Sequence, residues 1–343
     1  MLTWGNKYLN DAIKDKKNIY FSASGLLHTI GIEYLPFPDG QYICDKHNIY
    51  RLSSTRELCY NISPIKTESA CLYGGLDYNL VKTNKMDIAI ENGDDKISYR
   101  VSRAINDSIV ARGDFEPLIG SQQEIEQIKH EIVRKKIQCN VFADSEGTEE
   151  SFKNLSGSHI NIIHLSTHGM YVPYENYENK RNNNFRFMIS DDSSYIDEED
   201  QSLSRSFLVM SGGNMLIHRD SIPNGEDDGI LTALEISHLD FDCLDLVVLS
   251  ACQTALEDID SDGVYGLQRS FKKAGANTIL MSVDKVDDEA TRILMVDFYK
   301  NLLAGKCKRQ SLKDAQKHLR QVDNGKYDDP KYWASFIMLD GLN

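Results

Sequence analysis

The stretch Asp245-Leu246-Val247-Val248-Leu249-Ser250-Ala251-Cys252-Gln253-Thr254 decides the fold. Its unbroken apolar run, bounded by Asp245 and Ser250, reads as a strand buried on both faces, as a parallel sheet requires. A helical pattern follows at 264–274, stopped by Gly275, and then a strand from Thr278 to Val283. Towards the N-terminus, Asn161 to Leu165 is a second buried strand, ending at Ser166-Thr167-His168-Gly169. Cys139 to Ala143 is a third, and Ala70 to Tyr73 a fourth, turning at Gly74-Gly75. Between them lie a helix from Ser121 to about Lys135 and a short one at 148–155. Ser121 and Glu124 fit a capping box for the longer helix, with Ile125, Ile128 and Ile132 as its apolar stripe. Helices at 290–303 and 311–322 and a last strand from Tyr332 to Leu339 complete the pattern. Strands alternating with helices specify an α/β fold with a doubly wound, mostly parallel sheet. Chemistry in such sheets gathers outside the carboxyl ends of the strands.

The remaining segments are less regular. Residues 1–16 fit the end of a helix, and Asn18 to Ser22 and Asn48 to Leu52 fit strands. Gly31 to Leu35 is extended or helical. Residues 85–115 read as a polar excursion, and 171–228 as a long polar insertion with one hydrophobic hairpin around Phe207–Val209 and Met215–Ile217. A helix is expected at Ala233–Ser237. With 38 basic and 52 acidic residues the net charge is −14, which argues against general binding to a nucleic-acid backbone. No apolar run is long enough to span a bilayer, and Met1 to Lys7 lacks a signal-type apolar region. The 7 cysteines are irregularly spaced, without a CxxC pair. Reduced thiols in a cytoplasmic compartment follow, most of them small buried apolar residues, with no zinc site or other cofactor expected.

Two strand ends carry reactive residues, His168 with Gly169 and Cys252. A thiol is an effective nucleophile as its thiolate, and a histidine beside it can take the proton. Gly169 lets its own N–H approach a bound carbonyl closely, and the Cys252 N–H, where the strand turns towards a helix, is a natural second oxyanion donor. Either residue alone also fits a structural histidine or an inert cysteine.

The Cys252 stretch resembles the nucleophile motif of CHAT domains, caspase-like clan CD peptidase domains related to separase. Other blocks resemble the family in order. They include Arg51-Leu52-Ser53-Ser54-Thr55-Arg56, Leu72-Tyr73-Gly74-Gly75-Leu76-Asp77-Tyr78, His164-Leu165-Ser166-Thr167-His168-Gly169, Asp228-Gly229-Ile230-Leu231-Thr232-Ala233 and Tyr332-Trp333-Ala334-Ser335-Phe336. The resemblance implies a caspase-like fold, Cys252 as nucleophile, His168 as general base, Gly169 in the oxyanion site and a structural His164. It also implies a pseudo-peptidase half at 1–68 with a junction helix, before an active half at 69–343. No third catalytic member is evident.

The family usually places a tryptophan where this chain has Asp284. The resemblance makes Asp284, Asp287 and Asp288 candidates to select a basic side chain by ion pairing, as in relatives that cut after Arg or Lys. Asp287 and Asp288 equally fit a helix cap. Ser250, where the cysteine strand ends, joins the substrate-binding candidates. The expected function is a cysteine endopeptidase, latent until a TPR-type sensor or other regulatory partner engages. A catalytically silent protein-binding scaffold is the alternative, and the family's bacterial members are often linked to defence. Asp258 to Gly263 resembles half an EF-hand loop, but Arg269 stands where a bidentate Glu belongs.

Overall fold

The computed structural model describes residues 11–24, 27–28, 30–60, 65–80, 113–171, 203–218, 227–250, 261–284 and 286–342. In chain order its elements are β1 (Asn18–Ser22), α1 (Ile43–Lys46), β2 (Asn48–Leu52), β3 (Ser69–Leu76), α2 (Ile119–Arg134), β4 (Gln138–Asp144) and α3 (Glu149–Lys153). Next come β5 (Ile162–Leu165), β6 (Gly169–Tyr171), β7 (Ser206–Val209), α4 (Met215–His218), β8 (Ile230–Thr232), α5 (Ala233–Ile236) and β9 (Leu246–Leu249). The chain continues through α6 (Ser261–Lys273), β10 (Thr278–Ser282), α7 (Asp288–Leu303), α8 (Lys308–Leu319), α9 (Pro330–Trp333) and β11 (Phe336–Leu339).

Eight strands form one sheet in the order β1-β2-β11-β10-β9-β5-β3-β4. Every pairing is parallel except β10 with β11. The central strands β5 and β9 are buried along their whole length, which explains their continuous apolar runs. One face packs Phe152, Phe241, Leu267 and Phe271 against Ile163 and Val247. The other packs Ile125, Ile128 and Ile132 of α2 and Leu294 and Phe298 of α7 against Leu72 and Val248. This is the expected doubly wound α/β architecture. Strands β1 and β2, from residues 1–68, lie at one edge of this common sheet.

Glycine decides how closely α2 approaches β3. A Cβ on Gly74 would stand 2.9 Å from Ile125 Cγ2, and one on Gly75, at φ +64°, 2.8 Å from Gln122 Cβ.

Several local expectations are corrected. Helix α2 starts at Ile119 with Leu118 as its N-cap, so Ser121 and Glu124 form no capping box. Ser121 Oγ instead accepts from the Gly75 N–H at 2.8 Å and donates to the Leu118 carbonyl at 2.7 Å. Met215–Ile217 is helical rather than the second arm of a hairpin, because the turn at 210–214 closes with i to i+3 bonds such as Met215 N–H to the Gly212 carbonyl. The partner of β7 is therefore not that segment. It pairs antiparallel with β6 and β8 in a small second sheet. The last strand begins only at Phe336, since Pro330 opens the turn of helix α9 before it. The cysteine expectation also fails: among the described cysteines only Cys71 is buried, while Cys59 and Cys307 are exposed.

An acidic cluster around the buried Glu149 holds β8. The Glu149 carboxylate accepts from the Gly229 and Ile230 N–H groups at 2.6 and 3.1 Å. Asp228 accepts from the Ile230 N–H at 2.9 Å, and Lys153 reaches Glu149, Asp227 and Glu235. Burial first, and the Glu149 charge second, push the Asp228 carboxyl up to about 9. Between its ordinary range near pH 4 and that value the folded state binds more protons than the unfolded, so this group's contribution to stability declines as pH rises. Asp228→Asn keeps the acceptor and removes the charge. The variant is expected to melt above wild type at pH 8, with the gap closing towards pH 4; a gap independent of pH would count against this account.

Candidate active site

The carboxyl ends of β3, β5 and β9 lie side by side. Leu165 pairs with Leu249 and Tyr73 with Leu165. Beyond the strands, the Ser166 N–H donates to the Tyr73 carbonyl at 2.8 Å and the Ser250 N–H to the Leu165 carbonyl at 2.9 Å. Ser166 and Ser250 are thus neighbours, two residues before His168 and Cys252 respectively. Cys252 itself lies outside the described residues, as do residues 258–260 of the half EF-hand at Asp258 to Gly263, while Ser261 to Gly263 open α6.

His168 is buried, its ring between Tyr78 at 5.0 Å and Phe115 at 5.5 Å between centroids. Its Nε2 lies 2.7 Å from the Glu116 carbonyl oxygen. A carbonyl only accepts, so Nε2 carries the proton and Nδ1 is the basic nitrogen of the neutral ring. The Thr167 hydroxyl donates to the Val209 carbonyl, so Tyr78 OH, 3.0 Å away, donates to Thr167. Burial pushes the Tyr78 phenol up to about 12, which keeps it a neutral donor.

The Glu116 carbonyl is held in place through its neighbour Phe115. Asn214 accepts from the Phe115 N–H at 2.8 Å and donates to the Phe115 carbonyl at 3.2 Å. Its Nδ2 also reaches Asn79 Oδ1 at 2.8 Å, and its own N–H donates to the Tyr78 carbonyl at 2.9 Å. Neither Glu116 nor Asn214 was marked by a sequence motif, because the contact is made by a backbone oxygen.

Gly169 begins β6, one of the two edge strands of the small sheet among the described residues. The Val209 N–H bonds to the His168 carbonyl at 2.8 Å, which makes Gly169 and Leu208 a non-hydrogen-bonded pair. The Gly169 N–H therefore points to the outer side of β6, away from β7.

His164 is wholly buried one turn of pleat before Ser166. Its Nε2 lies 2.9 Å from Glu124 Oε1 and its Nδ1 3.3 Å from Tyr299 OH, a structural bridge from β5 to α2 and α7. Of the acidic candidates, Asp287 is the N-cap of α7, accepting from the Ala290 N–H at 2.9 Å. Asp284 is exposed. Asp288 and Ser250 line a small cavity together with Leu118, Gly120, Ser121, Glu124, Ser166 and Thr291. Glu124, whose spacing from Ser121 fits a helix cap, lines this cavity instead.

The other thiols are poor nucleophiles where burial dominates. It pushes Cys44 and Cys71 up to about 12 and Cys139 to about 11. Among the described residues no three His, Cys, Asp or Glu side chains gather as a metal ligand set, and no helix is long and apolar enough to cross a membrane.

Fold and strand-end histidine together define a doubly wound α/β protein with a polar site at the carboxyl edge of its sheet. The chain belongs to the CHAT domain family, whose model matches residues 5–341. It is similar to tetratricopeptide repeat protein 28 of Homo sapiens, 31% identical over 110 residues, and to that of Mus musculus, 32% identical over 110 residues. Those matches cover 32% of this chain and 4% of each relative. Among solved structures it overlaps the Arg-specific cysteine proteinase gingipain R with a TM-score of 0.44 and 7% identity, over 85% of this chain and 53% of that one.

Proposed function

We propose that this chain is a cysteine endopeptidase with Cys252 as nucleophile and His168 as general base. The observation that carries the reading is the bond from His168 Nε2 to the Glu116 carbonyl, which keeps the ring proton on Nε2 and makes Nδ1 the basic nitrogen. In this reading Nδ1 takes that proton and the thiolate attacks the scissile carbonyl. The Gly169 N–H, facing outward from β6, and the Cys252 N–H stabilise the oxyanion. As the C–N bond breaks, the imidazolium protonates the leaving amine. Water then attacks the thioester, His168 takes its proton, and the thiol is restored as the new carboxylate leaves. The buried Glu124 carboxylate near Ser250, with the exposed Asp288 at the rim of the same cavity, favours a basic residue before the cut; Asp284 and Asp287 are the lesser candidates, the first outside that cavity and the second engaged as a cap.

Residues 1–68 correspond in this reading to the inactive half, sharing the sheet of the active half at 69–343. Family membership and the tetratricopeptide relatives support a TPR-type regulatory partner that releases activity.

The test is cleavage of a mixed peptide library by wild type and Cys252→Ala, read by mass spectrometry. Cuts after basic residues that vanish in the variant are expected. Silence from wild type, with and without a TPR-type partner, would favour a protein-binding scaffold.

Asn214 is a positioning residue. Asn214→Ala should lower kcat by about tenfold with KM nearly unchanged, since it loosens the carbonyl that orients His168 and leaves the substrate surface alone. A matching rise in KM would point to a general loss of structure instead.

A further inference from the structure

The cavity behind the site is built for one kind of chemistry. It lies between the first turns of α2 and α7 and the ends of β5 and β9, with a volume of about 20 Å³. That is room for a single water-sized group. Glu124, Ser166, Ser250 and Thr291 stand around it, with the exposed Asp288 at its rim and Ser121, whose hydroxyl is already held by the Gly75 N–H and the Leu118 carbonyl. Glu124 is only 3% exposed, one oxygen toward His164 and the other 3.5 Å from Ser166 Oγ. Asp288 stands exposed in the first turn of α7.

Two lining hydroxyls lack a hydrogen-bond partner among the described residues. Ser250 Oγ and Thr291 Oγ1 are both buried, in residues 4% and 3% exposed. A buried hydroxyl without a partner is costly, and at a cavity wall it marks where a ligand's polar group belongs. Ser250 ties the cavity to the reaction centre, since the chain passes from it to Cys252 in two residues, as it passes from Ser166 to His168.

We propose that this cavity receives the ammonium of a lysine side chain preceding the scissile bond, with Glu124 as the charge that selects it and Ser250 and Thr291 as its hydroxyl acceptors. The proposal rests on the peptidase reading and narrows it. An ammonium is a compact point charge with three donors and no acceptor, matching a small space that holds one buried carboxylate and two buried hydroxyls. A guanidinium is a planar fork of five donors, a shape suited to a bidentate carboxylate rather than to one carboxylate and two separate hydroxyls. An apolar side chain of lysine's length would leave both hydroxyls without a partner.

The experiment separates binding from turnover. Full-length Cys252→Ala is titrated calorimetrically with short peptides ending in lysine, arginine or norleucine. Lysine should bind at least about tenfold tighter than either of the others. In the Cys252→Ala, Glu124→Gln double variant that preference should fall below about threefold. Cys252→Ala paired with Ser250→Ala, or with Thr291→Val, leaves the Glu124–His164 bridge intact. Either should weaken lysine binding selectively, which guards against a folding defect in the Gln variant. Arginine bound as tightly as lysine, or a lysine preference that survives Glu124→Gln, overturns the assignment. Wild-type cuts that depend on Cys252 but follow other residues would overturn the cavity's role and leave the peptidase standing. Selective lysine binding with no Cys252-dependent cut would do the reverse.

Discussion

His168→Gln is expected to lower kcat/KM for Cys252-dependent cleavage at pH 7 by about 10²–10⁴-fold, the usual contribution of a positioned general base. Glutamine fills much of the space between Tyr78 and Phe115 and can still donate to the Glu116 carbonyl, so folding should survive. What it lacks is a basic nitrogen where Nδ1 stands. Without it the thiol must ionise unaided, and a free thiol near its ordinary pKa of about 8.5 is a few per cent thiolate at pH 7. The variant's rate should therefore rise as pH approaches 9, while wild type is flatter there. Rates measured from pH 6 to 9, with melting temperatures alongside, check this. A variant that keeps wild-type rate at pH 7 would remove His168 from the mechanism.

The strand-end placement of that histidine was legible because β5 and β9 are buried on both faces and leave unbroken apolar runs. The order of helices and strands followed from the same periodicity. What could not be read was set by partners distant in sequence. Ser121 looks like a cap by spacing, yet its oxygen serves Gly75, 46 residues away. Glu124 fits a capping box as well, yet it answers a buried histidine 40 residues on. A local motif loses when a buried donor elsewhere needs the same atom, because leaving that donor unsatisfied costs more than an imperfect helix end. The carbonyl of Glu116 was illegible for another reason. Every residue has a carbonyl, so only the fold shows which one meets His168. Asn214 belongs to the same class, since its role is to hold backbone atoms of Phe115.

Arg51→Ala is expected to cost about 3–5 kcal/mol of stability, because it strips the partner from a buried carboxylate. Arg51 on β2 is 1% exposed and grips Glu33 with two bonds of 2.9 Å, Nε to Oε1 and Nη2 to Oε2. The same guanidinium donates to the carbonyls of Leu27 at 3.2 Å and Ile30 at 2.5 Å, fastening the segment after β1. Its own carbonyl accepts from the Asp340 N–H at 2.9 Å, and Asp340 in turn holds the Ser53 N–H and hydroxyl and pairs with Lys272. Loss of the guanidinium therefore loosens the edge of the sheet formed by β1 and β2. At about 2 °C per kcal/mol for a chain of this size, the melting temperature should fall by roughly 6–10 °C. Lysine should recover little, having one point charge where two parallel bonds and two carbonyls must be met. Arg51→Met combined with Glu33→Met should recover much of the loss, since it removes both buried charges at once. Strands β11 and β10 separate this edge from β9. Whatever cleavage the protein performs at 20 °C should thus proceed near the wild-type rate in Arg51→Ala. Denaturant titrations showing a loss below about 1 kcal/mol would mean that water reaches Glu33 once the guanidinium is gone, and that the pair guides the docking of β2 rather than stabilising it.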